Sequence, residues 1–333
     1  MKKLKIRTLT PLWTGTYEEK STKLKITSII GSLRWYFEAL VRGFGLKACD
    51  PTTDPCEKKE GASEICHACE VFGCTGYRRP FILRGNDLGT TNLFFKTLQD
   101  NKWWLKKQFG DKKQALFGET TFEIIELKEK IEDIIYALFF FIQKYGALGA
   151  KTQNGFGQFQ ILNDISEEKI EKLLQEMYDF IKKANNQISN SDYFILKYKI
   201  NKNNHGIKDI INNYKQLREE PVNFKNFYIP CGFDIRYNLK NQNKSLKKVF
   251  GSRNNASRVF VSHLYKEKKR ESNYYLKVWG FIPQQFLSVI DSNLTLNKFR
   301  KRINSQIKNH IFKDSELILN KTGKEIIKGG SND

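Results

Sequence analysis

The sequence predicts an α+β protein in which helices pack on antiparallel sheets. Two observations support this class. Strand-like and helix-like segments follow one another in the order β-α-β-β-α-β over the first half, and strand-like alternation returns in the second half. The 333 residues are 40% hydrophobic and 13% aromatic, which is enough for separate cores in about two domains.

The first half supplies the complete element order. Residues 3–12 have a strand pattern that ends at Pro11, and a helix is expected from about Thr27, with Thr27 or Ser28 as its cap. Its apolar face repeats every three or four residues at Ile29, Leu33, Phe37 and Leu40. The remaining elements are expected as two strands, a helix and a strand at 79–84, 121–125, 128–145 and 158–162. This order is that of a ferredoxin-like (RRM-like) domain.

A second unit of similar kind is expected after a turn-rich segment. A helix is expected over 166–183, and the sequence NNQISNS at 185–191 marks the boundary. Alternating apolar residues predict four strands beyond it, over 194–200, 233–239, 258–265 and 274–282, and spacing of four predicts a helix over 297–313. The predicted domains are therefore 1–188 and 189–333.

The charge of the chain indicates a polyanionic partner. Lys plus Arg number 57 against 36 acids, a net charge of +21. Self-repulsion makes such an excess a cost to folding, although a lysine-rich genome would produce the same total. Position separates the two explanations, because residues 240–270 hold ten basic side chains and one acid. That clustering favours a surface that contacts phosphates.

We expect a cytoplasmic protein from the amino terminus and the apolar runs. The first residues lack the long apolar region of a secretory signal. The longest apolar run, 134–142, has nine residues, whereas a bilayer span needs about twenty. In a reducing compartment, cysteines are thiols or metal ligands rather than disulfides.

Residues 45–78 have the character of a cysteine-rich insertion, with five of the six cysteines of the chain. Cys66 and Cys69 form a CxxC pair, and Cys49 and Cys56 lie upstream. Four thiolates suffice for a closed, structural Zn²⁺ site, with Cys74 in reserve. Free thiols and a redox pair are the alternatives, although a thioredoxin-like context for redox chemistry is missing.

A glycine-rich loop spans residues 146–157, between a helix and a strand. Glycines such as Gly149 and Gly155 let a backbone approach a ligand closely, and Lys151 and Thr152 can then hold a phosphate. The loop lacks the GK[ST] of a nucleotide-binding P-loop and enters a strand rather than a helix. A plain connection is the alternative.

Three signatures, made up of four segments, together resemble one protein family. The loop GALGAKTQNGFGQF (146–159) resembles that of the RAMP superfamily of CRISPR proteins. TPLWTG (10–15), SIIGSLRW (28–35) and CHACEVFGCTG (66–76) are similar to segments of the RAMP group that forms the first subunit of the Cmr complex, type III-B. The resemblance covers residues 1–160 and is looser beyond.

The resemblance implies two ferredoxin-like domains and a subunit of the Cmr complex that binds the 3′ region of the CRISPR RNA, the target RNA or both. It also implies a non-catalytic chain, since the backbone subunits of such complexes cut the target, and it implies other Cmr subunits as partners in antiviral defence. The expected RNA-binding residues are Arg34, Trp35, Arg78, Arg79, Lys151, Thr152, Gly149, Gly155, Arg253 and Arg258. Trp35 would stack on a base or, alternatively, pack against the sheet.

Two other function classes remain open. Some RAMP proteins are metal-independent endoribonucleases that process CRISPR RNA with histidine, tyrosine or lysine. Of the four histidines, His205 is the plausible exposed base, while His263 alternates with core valines and His67 lies in the cysteine-rich segment. A general base also needs a positioned partner, which no spacing here supplies. The third class is a scaffold that binds proteins alone.

Overall fold

The structure is a computed structural model that describes residues 1–15, 21, 23–50, 53–58, 65–92, 114–182, 192–216, 228–242, 246–251, 256–268 and 270–328. Its strands are β1 (Lys2–Thr8), β2 (Phe81–Gly85), β3 (Thr90–Asn92), β4 (Gln114–Leu116), β5 (Glu119–Glu126), β6 (Phe159–Ile161), β7 (Tyr193–Asn201), β8 (Tyr228–Ile229), β9 (Val259–Val261), β10 (Leu264–Tyr265), β11 (Asn273–Phe281) and β12 (Glu316–Thr322). Its helices are α1 (Ile26–Gly43), α2 (His67–Phe72), α3 (Ile131–Tyr145), α4 (Glu167–Lys182), α5 (His205–Gln216), α6 (Gly232–Gln242), α7 (Gln284–Ile290), α8 (Leu296–Gln306) and α9 (Gly323–Ile327). The molecule is therefore of mixed α+β class, as predicted.

Two antiparallel sheets organise the chain. The first has the strand order β2-β5-β1-β6, and the second has the order β12-β7-β11-β10-β8, with β9 paired to β11. In β1, Leu4, Ile6 and Thr8 are buried while Lys3 and Lys5 are exposed. This alternation turns one face of the first sheet to the core. None of the described helices is long and apolar enough to cross a membrane.

Helix α1 buries the face that its spacing predicts, since Ile29, Leu33, Phe37 and Leu40 are all buried. The predicted cap is wrong. The N-cap is Lys25, which makes no side-chain cap hydrogen bond. Ser28 instead donates its hydroxyl to the Thr14 carbonyl oxygen at 3.3 Å, so its side chain ties the helix to the end of the preceding segment.

The strand predicted over 233–239 is wrong, because these residues belong to helix α6. The apolar residues alternate in sequence, but Tyr237 is exposed and Asp234 is buried. Helix α6 buries Gly232, Phe233, Asp234, Ile235 and Leu239. Ile235 and Leu239 enter the hydrophobic core one helical turn apart, so the same residues that alternate like a strand also have a helical period.

The two halves of the chain share one hydrophobic core. The larger core is built from the first sheet, α1 and α3, and it also contains Tyr193, Ile195 and Trp279 from the second sheet. A second core lies on the opposite side of β7 and β11. The boundary predicted at 188/189 lies outside the described residues.

Lys277 joins the halves through a buried polar contact. Its side chain on β11 is 4% exposed, and its Nζ donates to the carbonyl oxygens of Gln143 at 2.5 Å and Gly146 at 3.4 Å. These carbonyls close the carboxyl end of α3, where helix bonds are unfilled and the dipole is negative. Lys277 therefore caps a helix of the first half from the second sheet.

His263 lies at the same junction and is buried among aromatic rings. Its backbone N–H donates to the Gly155 carbonyl oxygen at 3.3 Å, and its Nδ1 accepts the Gly232 N–H at 3.0 Å. Tyr228 stacks on its ring with centroids 5.8 Å apart. Complete burial lowers the pKa of His263 from 6.5 to about 3, so the imidazole is neutral at physiological pH.

We expect His263→Asn to reduce the decrease in the free energy of unfolding at acidic pH. Asn can accept the hydrogen bond from the Gly232 N–H but does not titrate. Without the substitution, His263 of the unfolded chain becomes protonated below pH 6.5, its ordinary pKa. In the folded chain the lowered pKa keeps His263 neutral down to about pH 3. Stability supplied by neutral His263 is thus complete above pH 6.5 and falls by up to ~1.4 kcal/mol per pH unit below it. Denaturant unfolding at pH 7 and pH 5 measures the difference.

Exposed His205 provides the matched control, since His205→Asn makes the same chemical change outside the core. His263→Asn is expected to cost about 1–3 kcal/mol at pH 7 and to lose less on acidification than the native chain. Equal losses in the native chain, His263→Asn and His205→Asn would contradict the role of His263.

Candidate functional site

Four cysteines meet beside helix α1, as the sequence predicts. The sulfur atoms of Cys49, Cys56, Cys66 and Cys69 all lie within 4.8 Å of one another. Cys49 and Cys69 are buried with their sulfurs 3.4 Å apart, while Cys56 and Cys66 are half-buried. This cluster could hold a metal ion. Cys74, the predicted reserve, is not one of the four.

The short helix α2 positions the CxxC pair. Cys66 is its N-cap residue and Cys69 lies one turn later, where the Gly73 N–H closes the helix on the Cys69 carbonyl at 2.8 Å. Gly73 has φ of +80°, and a Cβ there would lie 2.8 Å from the Arg79 nitrogen. A side chain is therefore excluded at this turn, which returns the chain from the cluster towards β2.

The cluster has the electrostatics of a ligand site. Burial raises the pKa of Cys66, but the backbone N–H groups of Cys49 and Cys69 outweigh that effect and lower it to about 7. Burial and the hydrogen bond from Cys49 raise the pKa of Cys69. One thiolate is therefore partly formed at neutral pH, and the thiolate is the form that binds metals.

Arg34 projects from α1 onto the cluster rather than into solvent. Its Nη2 lies 3.4 Å from the Cys69 sulfur and 3.7 Å from the Cys49 sulfur, and its Nε donates to Glu38 at 2.8 Å. Burial opposes the charge of the guanidinium, but Glu38 and Cys69 outweigh it and raise the pKa of Arg34. The arginine therefore stays charged beside the sulfurs.

The glycine-rich loop is held by the segment that follows β1. The Ala150 N–H donates to the Trp13 carbonyl at 2.8 Å, and the Gly157 N–H donates to the Pro11 carbonyl at 2.9 Å. Ser32 of α1 accepts the Gly149 N–H at 3.2 Å. The loop is thus fixed to both the strand and the helix of the first half.

The glycines are required by neighbouring protein atoms. Gly149 has φ of +79°, and a Cβ there would lie 2.6 Å from the Trp13 carbonyl oxygen. Gly155 has φ of +100°, and a Cβ would overlap the His263 ring. The sequence predicts that these glycines let the backbone approach a ligand closely. In the structure they instead let it approach Trp13 and His263 of the same chain.

Lys151 and Thr152 lie at the tip of the loop and are half-buried. Lys151 has φ of +57°, and its Nζ lies 4.4 Å from the centroid of the Trp13 ring. This distance allows a cation–π contact. The turn that begins at Thr152 packs against β9, so the loop tip borders the second half.

Trp35 is 39% exposed, one residue after Arg34. Its ring meets the edge of Phe260 with centroids 6.0 Å apart, and Phe260 in turn stacks on Trp279 at 5.6 Å. Because Phe260 belongs to β9, Trp35 and the glycine-rich loop border the same strand. Their surface, defined by Trp35, Lys151, Thr152 and Phe260, is called here the junction surface.

Three of the other predicted RNA-binding arginines, Arg78, Arg79 and Arg258, are described by the structure. Arg78 is exposed after the cysteine segment, whereas Arg79 donates its Nε to the Phe81 carbonyl at 2.9 Å. Arg258 places its guanidinium 4.3 Å from the centroid of the Phe286 ring. Arg253 lies outside the described residues. These assignments remain predictions.

Sequence reasoning missed the roles of Trp13, Phe260 and Lys277. Trp13 belongs to the motif TPLWTG, which does not show that its ring contacts Lys151. Phe260 and Lys277 sit in strand patterns whose alternation gives the face of each side chain but not the neighbour it meets across the halves. A lysine within the apolar run YYLKVWGF is the one signal that could have pointed to Lys277.

Comparison with solved structures shows similarity to several chains at low identity, of which three are described. One is the crystal structure of apo Cmr1 from Pyrococcus furiosus, at 15% identity and a TM-score of 0.48, covering 91% of this chain and 96% of that chain. A second is type III-B Cmr-beta bound to cognate target RNA and AMPPnP in the presence of ssDNA, at 14% identity and a TM-score of 0.40, with 84% and 94% covered. A third is Cmr-beta bound to cognate target RNA, at 14% identity and a TM-score of 0.39, with 90% and 99% covered.

Comparison with curated protein sequences gives no match. The family model of the RAMP superfamily matches residues 5–160. That range contains most of β1, all of α1, the four clustered cysteines and the whole glycine-rich loop, which are the segments that carry the resemblance in the sequence. The resemblance to the RAMP superfamily is therefore confirmed over residues 5–160, which span just under half of the chain.

Proposed function

We propose that this chain is a non-catalytic RNA-binding subunit of a type III-B CRISPR (Cmr) effector complex, with other Cmr subunits as its protein partners. On this proposal it binds single-stranded RNA, either the 3′ region of the CRISPR RNA or the target RNA. The observation that carries the proposal is the RAMP match over residues 5–160, because it includes both α1 and the loop that form the junction surface. The assignment to type III-B rests on the cysteine and amino-terminal motifs.

The chemistry of the junction surface suits single-stranded RNA. Trp35 offers an aromatic ring that is 39% exposed, and successive bases stack on such rings whatever their sequence. Lys151 provides a cation beside the loop, and the whole chain carries a net charge of +21. Contacts of this kind give affinity through phosphates and stacking rather than through base identity.

Each half is proposed to be a ferredoxin-like unit, with the cysteine-rich segment inserted in the first. The first sheet runs β2-β5-β1-β6, so its four strands take the order 4-1-3-2 for an element order of β-α-β-β-α-β. In the second sheet, β12, β7, β11 and β10 take the same order, and β8 is added at the edge beyond β10. These neighbouring strands pair antiparallel in both sheets, as this fold requires.

The absence of intrinsic catalysis is part of the proposal. A RAMP endoribonuclease would need a histidine free to exchange protons beside a partner. His263 is buried and its Nδ1 already accepts a backbone N–H. His205 is exposed at the start of α5, and it remains the residue to examine if the chain cuts RNA. The exposed ring of Trp35 favours RNA binding over a scaffold that binds proteins alone, because an exposed aromatic ring can stack on a base.

The cysteine cluster is proposed to hold a structural Zn²⁺. Tetrahedral zinc with Zn–S bonds of about 2.3 Å places the sulfurs ~3.8 Å apart. The four sulfurs lie within 4.8 Å of one another and two of them already lie 3.4 Å apart, so small side-chain shifts complete the site. Bound zinc would fasten the inserted segment, which has few apolar residues of its own.

We expect the purified chain to bind single-stranded RNA without cutting it. Its affinity should fall steeply as the salt concentration rises. For about four phosphate contacts, raising salt from about 50 to 200 mM should weaken binding roughly 50-fold. Labelled RNA incubated without added divalent metal ions, which leaves the proposed zinc in place, and run on native and denaturing gels measures binding and cleavage together. Binding that ignores salt would contradict phosphate contacts, and shortened RNA would favour the endoribonuclease alternative.

Trp35→Ala is expected to weaken RNA binding by ~1–3 kcal/mol, because one stacking platform is lost. Trp35→Phe keeps an aromatic ring and should retain most of the affinity. Lys151→Ala should weaken binding and lower the salt slope by about 0.7, the contribution of one phosphate contact on a single strand. Titration of labelled RNA at several salt concentrations measures both effects.

Lys172→Ala is the control for Lys151→Ala, since Lys172 is an exposed lysine on α4. Its affinity should match that of the native chain within twofold, as expected for a surface lysine that contacts no phosphate. If Trp35→Ala and Lys151→Ala both bind as tightly as the native chain, the RNA does not pass over the junction surface.

One Zn²⁺ per chain is expected by elemental analysis, and Cys69→Ser should lose it because a buried ligand is removed. Cys74→Ser is the matched control: it changes a cysteine of the same segment that is not among the four, and it should keep the metal. A native chain with less than ~0.2 equivalents of any metal would exclude a structural zinc site.

A further inference from the structure

A zinc ion bound by four thiolates carries a net charge of −2 that must be balanced. The four ligands contribute four negative charges against two on the metal, and Cys49 and Cys69 are buried. Buried charge is costly unless other groups pair with it. Hydrogen bonds from outside the ligand set also orient the ligands and tune their affinity for the metal.

Arg34 is placed to provide that balance. Its Nη2 lies 3.4 Å from the Cys69 sulfur and 3.7 Å from the Cys49 sulfur, the two most buried ligands of the cluster. The side chain of Arg34 is 20% exposed and that of its partner Glu38 is 8% exposed. Little of the guanidinium is therefore left for a ligand that arrives from solvent.

The other nitrogen atoms of the guanidinium make hydrogen bonds that orient Nη2 towards the sulfurs. Its Nε donates to Glu38 at 2.8 Å, and its Nη1 donates to the Gly73 carbonyl at 2.9 Å. Gly73 follows α2, so the arginine links α1 to the end of α2. A planar fork with donors in fixed directions can satisfy these partners at once, whereas a lysine ammonium cannot.

We propose that Arg34 is a positioning residue of the metal centre, which hydrogen-bonds to the sulfurs of Cys49 and Cys69 and offsets the charge of the zinc–thiolate unit. The proposal rests on the proposed zinc site. It replaces the contact with RNA phosphate that the family resemblance implies for Arg34. The RNA contact of this part of α1 then falls to Trp35, whose side chain is directed to the junction surface.

The first test compares Arg34→Gln with Arg302→Gln, which removes the same charge from an exposed position on α8. Zinc affinity is measured on the folded full chain by competition with a chromophoric chelator. Loss of such an outer contact weakens metal binding by about 10- to 100-fold, and this is the loss expected for Arg34→Gln. Arg302→Gln should keep the affinity of the native chain.

A second variant separates charge balance from a general loss of structure. Glu38→Gln disrupts the same side-chain pair but leaves the positive charge beside the sulfurs, so zinc affinity should be kept or increased. If Arg34 acted only through its ion pair with Glu38 within α1, Glu38→Gln would weaken zinc binding as much as Arg34→Gln does.

Substitution of Co²⁺ for zinc provides a spectroscopic test. The energy of the sulfur-to-Co²⁺ charge-transfer band would not change if the role of Arg34 were purely structural. A hydrogen bond to a thiolate stabilises the sulfur electrons and raises the energy of the sulfur-to-Co²⁺ charge-transfer band. Co²⁺ added to Arg34→Gln should give that band at lower energy than in the native chain. The band of Glu38→Gln should not move to lower energy.

The outcomes distinguish the two proposals. A native chain that binds neither Zn²⁺ nor Co²⁺ overturns the zinc site, and the role of Arg34 with it. A native chain that holds one zinc, together with Arg34→Gln of unchanged zinc affinity or an unmoved cobalt band, overturns the role of Arg34 alone. Weaker zinc binding with the shifted band in Arg34→Gln, and neither change in Glu38→Gln, supports it.

Discussion

The attachment of the glycine-rich loop to its surroundings determines the arrangement of the whole site. Backbone hydrogen bonds fix the loop to Pro11 and Trp13, and one to Gly155 fixes it to His263 in the second half. Only glycine can occupy position 155 against the His263 ring, because of both the positive φ and the missing space. Lys151, Trp35 and β9 therefore keep one relative position, which is the condition for a defined binding surface.

Helix α1 connects this surface with the cysteine cluster. Within four residues it presents Ser32 to the loop, Arg34 to the sulfurs and Trp35 to the second half. Its opposite face is buried against the first sheet. A single helix thus carries contacts of the cysteine cluster and of an exposed aromatic residue, so α1 links the cysteine-rich segment to the junction surface.

Local patterns predicted the parts of the molecule that local physics determines. The apolar face of α1, the burial of His263 and the meeting of Cys49, Cys56, Cys66 and Cys69 follow from periodicity and from metal-ligand chemistry. The helix at 232–242 did not, since its apolar residues also alternate as in a strand. The contacts of Arg34 and Lys277 could not be predicted, because both depend on neighbours distant in the sequence, and a motif assigns a residue type without giving the direction of its side chain.

The shared core has a consequence for recognition. Two linked domains usually rotate against each other, and a ligand that bridges them must then stop that motion at an entropic cost. Here Tyr193, Ile195 and Trp279 of the second sheet are buried in the core of the first, so rotation would expose large apolar side chains to water. An RNA strand bound across the two halves would therefore contact a rigid surface whose binding groups keep fixed distances, and the two halves would not need to close around it.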